Sequence, residues 1–136
     1  MSMKHVVVVE DDPLNAMLFS KLLERRGGFR VTVTGAPEEM LRLVRAGDVA
    51  AVLMDVSLVD VEWEGRPVTG VDLCRLLKAD PACAGVPVIL ATAHAMRGDA
   101  EALMAESGAE DYVSKPVVDH EAFVARLRQW TEREAA

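Results

Sequence analysis

The chain has 136 residues, 51% of them hydrophobic and 27% charged, the balance of one globular domain long enough to bury a sizeable core. A formal net charge of -7 with no basic stripe excludes a general nucleic-acid surface. No apolar run approaches the roughly 20 residues that cross a bilayer, and the first five residues lead into a strand-like run rather than a signal peptide. Cys74 and Cys83 form no CxxC or Cys/His cluster, so the reading is a cytoplasmic protein with reduced thiols, no zinc and no membrane partner.

Residues 6–9 are continuously apolar, as in a strand covered on both faces. Asp12-Pro13 reads as a helix cap followed by proline at the first helical position, and Leu14, Met17, Leu18 and Leu22 are predicted to form that helix's inward stripe. Gly27-Gly28 ends it. Residues 29–34 alternate like a more exposed strand, and Gly35-Ala36-Pro37 opens a second helix carrying Met40, Leu41 and Val44, stopped by Gly47. Residues 51–54 form a third strand. A long loop follows, then a helix with Leu73, Leu76 and Leu77 at i, i+3, i+4. Residues 86–91 are the fourth strand, 100–105 the centre of a fourth helix, 112–114 a short fifth strand. Phe123, Val124, Leu127 and Trp130 face inward on a last helix.

Strict alternation of strand and helix implies an α/β fold with a parallel sheet and helices on both faces, because each parallel connection needs a crossover. In such a sheet the strand ends meet at one edge, which collects Glu10, Asp11, Asp55, Thr92 and Lys115. The second strand ends at Gly35 with nothing reactive, which suits an edge position. Glu10 and Asp11 with Asp55 could supply oxygens to a hard cation such as Mg2+, or an acid here could simply cap the helix. Asp55 could accept a phosphoryl group or be a polar loop residue. Lys115 and Thr92 could meet phosphate oxygens, although a solvated lysine and a strand threonine are equally ordinary.

The segments Val9-Glu10-Asp11-Asp12-Pro13-Leu14-Asn15, Leu53-Met54-Asp55-Val56, Ala91-Thr92-Ala93 and Ser114-Lys115-Pro116 resemble, in order and position, the receiver domain of two-component response regulators. The resemblance covers essentially the whole chain, 1–136, as a single receiver domain. It implies a flavodoxin-like five-stranded parallel sheet of order 2-1-3-4-5. It also implies that Asp55 is the phosphoacceptor, that Asp11, Asp55 and the Ser57 backbone carbonyl ligate Mg2+ with Glu10 acting largely through water, and that Lys115 pairs with the phosphoryl group. Thr92 and Tyr112 would form the switch, and Lys115-Pro116 would match the family's cis peptide.

The function implied is a stand-alone phosphorylation switch rather than an enzyme, with Mg2+-dependent self-phosphorylation and dephosphorylation. Its partners would be a histidine kinase or phosphotransfer protein and a downstream protein target. After the last helix only six residues, Thr131 onward, remain, too few for an output domain. Two other readings stand beside it. One is a receiver-like scaffold that binds partners without phosphorylation; the other is an aspartyl-nucleophile phosphatase, whose pattern has a second acid where this chain has Ser57. There is no P-loop and no GxGxxG.

The chain departs from the family after Asp55. Val59 stands where proline is usual, and if Gly70 matches the family's glycine the loop over residues 59–69 is longer by about seven residues, a length more often functional than average. The loop is acidic and carries Trp63, and is expected to shape partner choice or phosphate lifetime, or else to be a harmless insertion. His94 is a candidate for the output surface.

Overall fold

The computed structural model describes residues 3–93 and 97–132. Five strands, β1 (His5–Val9), β2 (Arg30–Thr34), β3 (Val49–Asp55), β6 (Val88–Thr92) and β7 (Asp111–Ser114), form one sheet. Its order is β2-β1-β3-β6-β7, every pair parallel. Counting only these strands, that is the expected 2-1-3-4-5. β4 (Glu62–Trp63) and β5 (Arg66–Pro67) pair separately as an antiparallel hairpin inside the long loop.

Strand alternation sends successive side chains to opposite faces, and each face has its own core. Val7, Val9, Val52, Met54, Val88 and Leu90 pack with Met40, Leu41 and Val44 of α2 (Pro37–Arg45) and with Leu73, Cys74 and Leu77 of α3 (Gly70–Ala79). Leu103 of α4 (Arg97–Ser107) adds to this face. On the other face Val6, Val8, Leu53 and Ile89 meet Phe19 of α1 (Pro13–Lys21) and Phe123, Val124 and Leu127 of α5 (His120–Thr131). Trp130, half-buried, packs beside them, and its indole N–H donates to Asp111 at 2.8 Å. The central strands β1, β3 and β6 are buried almost throughout, whereas edge strand β2 is more exposed, as its sequence suggested, though without strict alternation: Arg30 and Val33 are exposed, Val31 and Thr32 half-buried and Thr34 buried.

The inward face of α1 differs from the sequence expectation at Leu14, Met17 and Leu18, while Leu22 is buried as expected. Leu14 is 72% exposed and Met17 and Leu18 are also exposed, while Ala16, Phe19, Leu22 and Leu23 are buried. Two apolar stripes compete on this helix, and the one with the aromatic ring wins. Phe19 stacks on Phe123 of α5, ring centroids 5.6 Å apart, and buries more apolar area than a leucine could. A π-helical turn, Leu22–Arg26, extends α1 before the glycines, and Gly28 takes a positive φ of 70° that suits glycine.

The fourth strand begins at Val88 rather than residue 86. Val86 closes a turn onto the Cys83 carbonyl, and its own carbonyl accepts from the Lys78 ammonium at 3.0 Å, so it is taken before the ladder starts. Cys74 and Cys83 are both buried and unpaired with each other. Burial pushes the Cys74 thiol up to about 11, which leaves it protonated and inert at neutral pH. No helix among the described residues is long and apolar enough to cross a membrane. His94 lies outside the described residues.

Candidate functional site

Register brings the chemistry-bearing residues together. Val9, the last residue of β1, lies opposite Thr34 and Met54; Asp55 lies opposite Ala91; and Thr92 lies opposite Ser114. Glu10 therefore follows directly from one central strand, Asp55 ends its neighbour, Thr92 ends the next, and Lys115 follows the last. Backbone bonds continue the ladder past the strand ends: Glu10 N–H to Thr34 O at 3.1 Å, Val56 N–H to Ala91 O at 3.0 Å and Lys115 N–H to Thr92 O at 2.9 Å. Lys115-Pro116 is cis.

Asp12 caps α1 as the sequence suggested, accepting from the Leu14 N–H at 3.0 Å. That duty separates it from its neighbours. Glu10 turns inward, only 3% exposed, with Oε2 accepting from the N–H groups of Asp11 and Asp12 at 3.1 and 3.4 Å. Oxygens of Glu10, Asp11 and Asp55 lie within 4.8 Å of one another. Asp55, also 3% exposed, accepts from the Ser57 N–H at 3.1 Å and from Lys115 Nζ at 2.6 Å on the same oxygen, Oδ1. Lys115 Nζ lies 3.9 Å from Glu10 Oε1.

Two buried acids, Glu10 and Asp55, share one ammonium, so they do not ionise alike. Burial pushes the Glu10 carboxyl up to about 8, reinforced by the adjacent Asp55. Burial alone would lift Asp55 as well, but the neighbouring Glu10 carboxyl, the Lys115 ammonium and the Ser57 N–H together favour its anion and hold it below the usual carboxylate range. The result is two buried acids of unlike character side by side: Asp55, whose anion is favoured, and Glu10, whose protonated form is favoured.

The donor set fits a hard divalent cation. Glu10 Oε1 is buried with no hydrogen-bond partner among the described residues, a costly arrangement unless a ligand meets it. Clustered carboxylate oxygens are what Mg2+ selects.

Thr92 is 1% exposed, and alternation places it on the same sheet face as Leu90 and Tyr112. Tyr112 is half-buried against the α3-side core. Glu10, Asp11, Asp55, Thr92 and Lys115 thus gather at one sheet edge, with Tyr112 two positions back along β7. Ser57 enters through its N–H to Asp55.

One participant was not foreseen. The Val59 N–H donates to Asp11 Oδ2 at 2.8 Å. The sequence signal available for it was only that a residue with an N–H stands where proline is usual.

A parallel sheet of this order, with a buried aspartate, two further acids and a lysine at its strand ends, defines a receiver domain. The chain belongs to that family: the model for the response regulator receiver domain matches residues 6–128. The polar-differentiation response regulator DivK of Brucella ovis is 37% identical over 114 residues, covering 84% of this chain and 85% of the relative. Among solved structures, the receiver domain of the sensor histidine kinase PA1611 from Pseudomonas aeruginosa PAO1, which holds a magnesium ion in its active-site cleft, superposes with a TM-score of 0.79. It is 26% identical and covers 97% of this chain and 100% of that one. The receiver domain of a signal transduction histidine kinase from Syntrophus aciditrophicus gives a TM-score of 0.73 at 27% identity, covering 96% and 94%.

Proposed function

We propose that this receiver is switched by phosphorylation of Asp55. The observation that carries the reading is the buried contact of Lys115 with an anionic Asp55 inside an acid cluster. An Asp55 carboxylate oxygen attacks the phosphorus of a donor. A new O–P bond forms as the bond from phosphorus to the donor's nitrogen or oxygen breaks, and the leaving group keeps that electron pair and takes a proton from water. Lys115 offers its charge to the phosphoryl oxygens as they approach. Asp11, Asp55 and the Ser57 carbonyl would hold Mg2+ with Glu10 behind them, and the bound ion would supply positive charge for the transferring phosphoryl group. Attack by water on the same phosphorus returns free carboxylate and inorganic phosphate.

The acyl phosphate adds charge and acceptor oxygens at the end of β3. Thr92, buried at the end of β6, is the hydroxyl that answers it. Tyr112, on the same face and half-buried, is the ring free to change its packing. The donor is a phosphohistidine on a protein partner. Supporting this, exposed apolar side chains rise beside the strand ends, Leu14, Met17 and Leu18 on the helix after Glu10-Asp11 and Val118 just after Lys115. Two buried unpaired cysteines support the cytoplasmic placement read from sequence.

The test is intact mass after incubation with Mg2+ and a small acyl or phosphoramidate donor. One base-labile phosphoryl group is expected on the wild type and none on Asp55→Asn. An undiminished adduct on Asp55→Asn rules the reading out.

A further inference from the structure

The loop that departs from the family pattern is a built element. Leu58 and Val61 are each 8% exposed and anchor in the α2/α3-side core, while Val59 between them leaves its side chain 63% exposed. Asp60 turns the chain at a φ of 55°, in the left-handed region. The chain then forms the β4/β5 hairpin through Glu64 and Gly65, at φ of 53° and 78°, the pair of positive values that a tight two-residue turn requires. Val68 N–H returns to Val61 O at 2.9 Å and closes the base, with Trp63 and Val68 packed on the core. Val59 is therefore held between two buried anchors, Leu58 directly before it and Val61 two residues after it. Its solvent-facing side chain is incidental, and its peptide N–H points the other way, at Asp11 Oδ2, 2.8 Å distant.

We propose that the Val59 peptide N–H is a positioning group for the metal site, held in place by the inserted hairpin, and that it orients the Asp11 carboxylate toward the cation. This rests on the reading of Asp11 as a Mg2+ ligand. An exposed carboxylate otherwise rotates freely, and a charged hydrogen bond to one oxygen leaves the other aimed and available. Proline has no N–H, so a receiver with proline here cannot make this bond, and the inserted segment supplies it through the main chain.

The experiment is Mg2+ titration of the full chain by calorimetry, with melting temperature measured alongside. Val59→Ala keeps the N–H and is expected to bind Mg2+ within about twofold of wild type, whereas Val59→Pro is expected to bind about five- to tenfold more weakly. Wild-type affinity in a folded Val59→Pro overturns the proposal. Should Val59→Pro fail to fold, amide hydrogen exchange decides: the Val59 amide should lose about tenfold of its protection in Asp11→Ala, and unchanged protection overturns the proposal. Asp11→Asn separates the two levels, since undiminished Mg2+ binding there overturns the metal assignment itself.

Discussion

Lys115 Nζ lies 2.6 Å from Asp55 Oδ1, although 60 positions separate them in the chain. Only the parallel register of β3, β6 and β7 brings them together. Both are largely buried, Asp55 at 3% and Lys115 at 13% side-chain exposure, so the pair is screened little by solvent.

Removing that ammonium should slow phosphorylation. Lys115→Met is expected to reduce the rate of adduct formation from a small donor by about 100-fold, the scale at which losing one fixed charge partner of a transition state is felt. Lys115→Arg should recover only part of it, because a planar guanidinium cannot replace a compact point charge in the same space. Stopped-flow or timed mass measurement checks this. A rate within twofold of wild type for Lys115→Met would remove Lys115 from the chemistry.

Gly70 ties the start of α3 to the phosphoacceptor strand. A Cβ there would come within 2.8 Å of the Asp55 carbonyl carbon and overlap its oxygen. Alanine is ordinarily better than glycine in a helix by about 1 kcal/mol, but an overlap with main chain, which cannot swing aside, costs about 2 to 3 kcal/mol, the upper part of the overpacking range, and the overlap dominates. Gly70→Ala is expected to lower stability in urea by about 1 to 2 kcal/mol after both effects. A neutral or stabilised variant would show that Asp55 and α3 are not packed this closely.

His5 gives stability a defined acid limb. It is 6% exposed, its Nε2 bonds Thr32 Oγ1 at 2.7 Å, and its Nδ1, with no hydrogen-bond partner among the described residues, lies 3.8 Å from Asp48 Oδ1. Burial foremost, then the nearby Arg30, holds its pKa below the ordinary 6.5, against the opposing pull of Asp48. The folded ring stays neutral where the unfolded one takes a proton. Stability is therefore whole above pH 6.5 and is lost as pH falls from there through the folded value. Urea midpoints over that window should fall less steeply for His5→Gln than for wild type; equal slopes would contradict the assignment.

Much of this was legible before the fold was seen, because the signals were local. The apolar runs of β1 and β3 ended in acids, Asp12-Pro13 marked a helix start, and β2 lacked a reactive end, as befits an edge. The inward face of α1 was legible only at Leu22. Leu14, Met17 and Leu18 are as apolar as Phe19, Leu22 and Leu23, and only the ring of Phe123, 104 positions after Phe19, decides between them. The hairpin was hidden for a different reason: strands of two residues show no periodicity, and Glu64-Gly65 was the sole local turn signal. The Val59 bond to Asp11 spans 48 positions and uses only the main-chain N–H of Val59, so no side-chain pattern could announce it.

The central claim is that the phosphoryl group is carried by Asp55 and by no other acid. Borohydride reduction of the phosphorylated protein, followed by peptide mass spectrometry, marks the acylated residue directly. The expected result is a single reduced position, Asp55, that requires Mg2+ to appear. Reduction at Asp11, Asp60 or Glu10, or no reduced position in a sample that carries the phosphoryl mass, would contradict it.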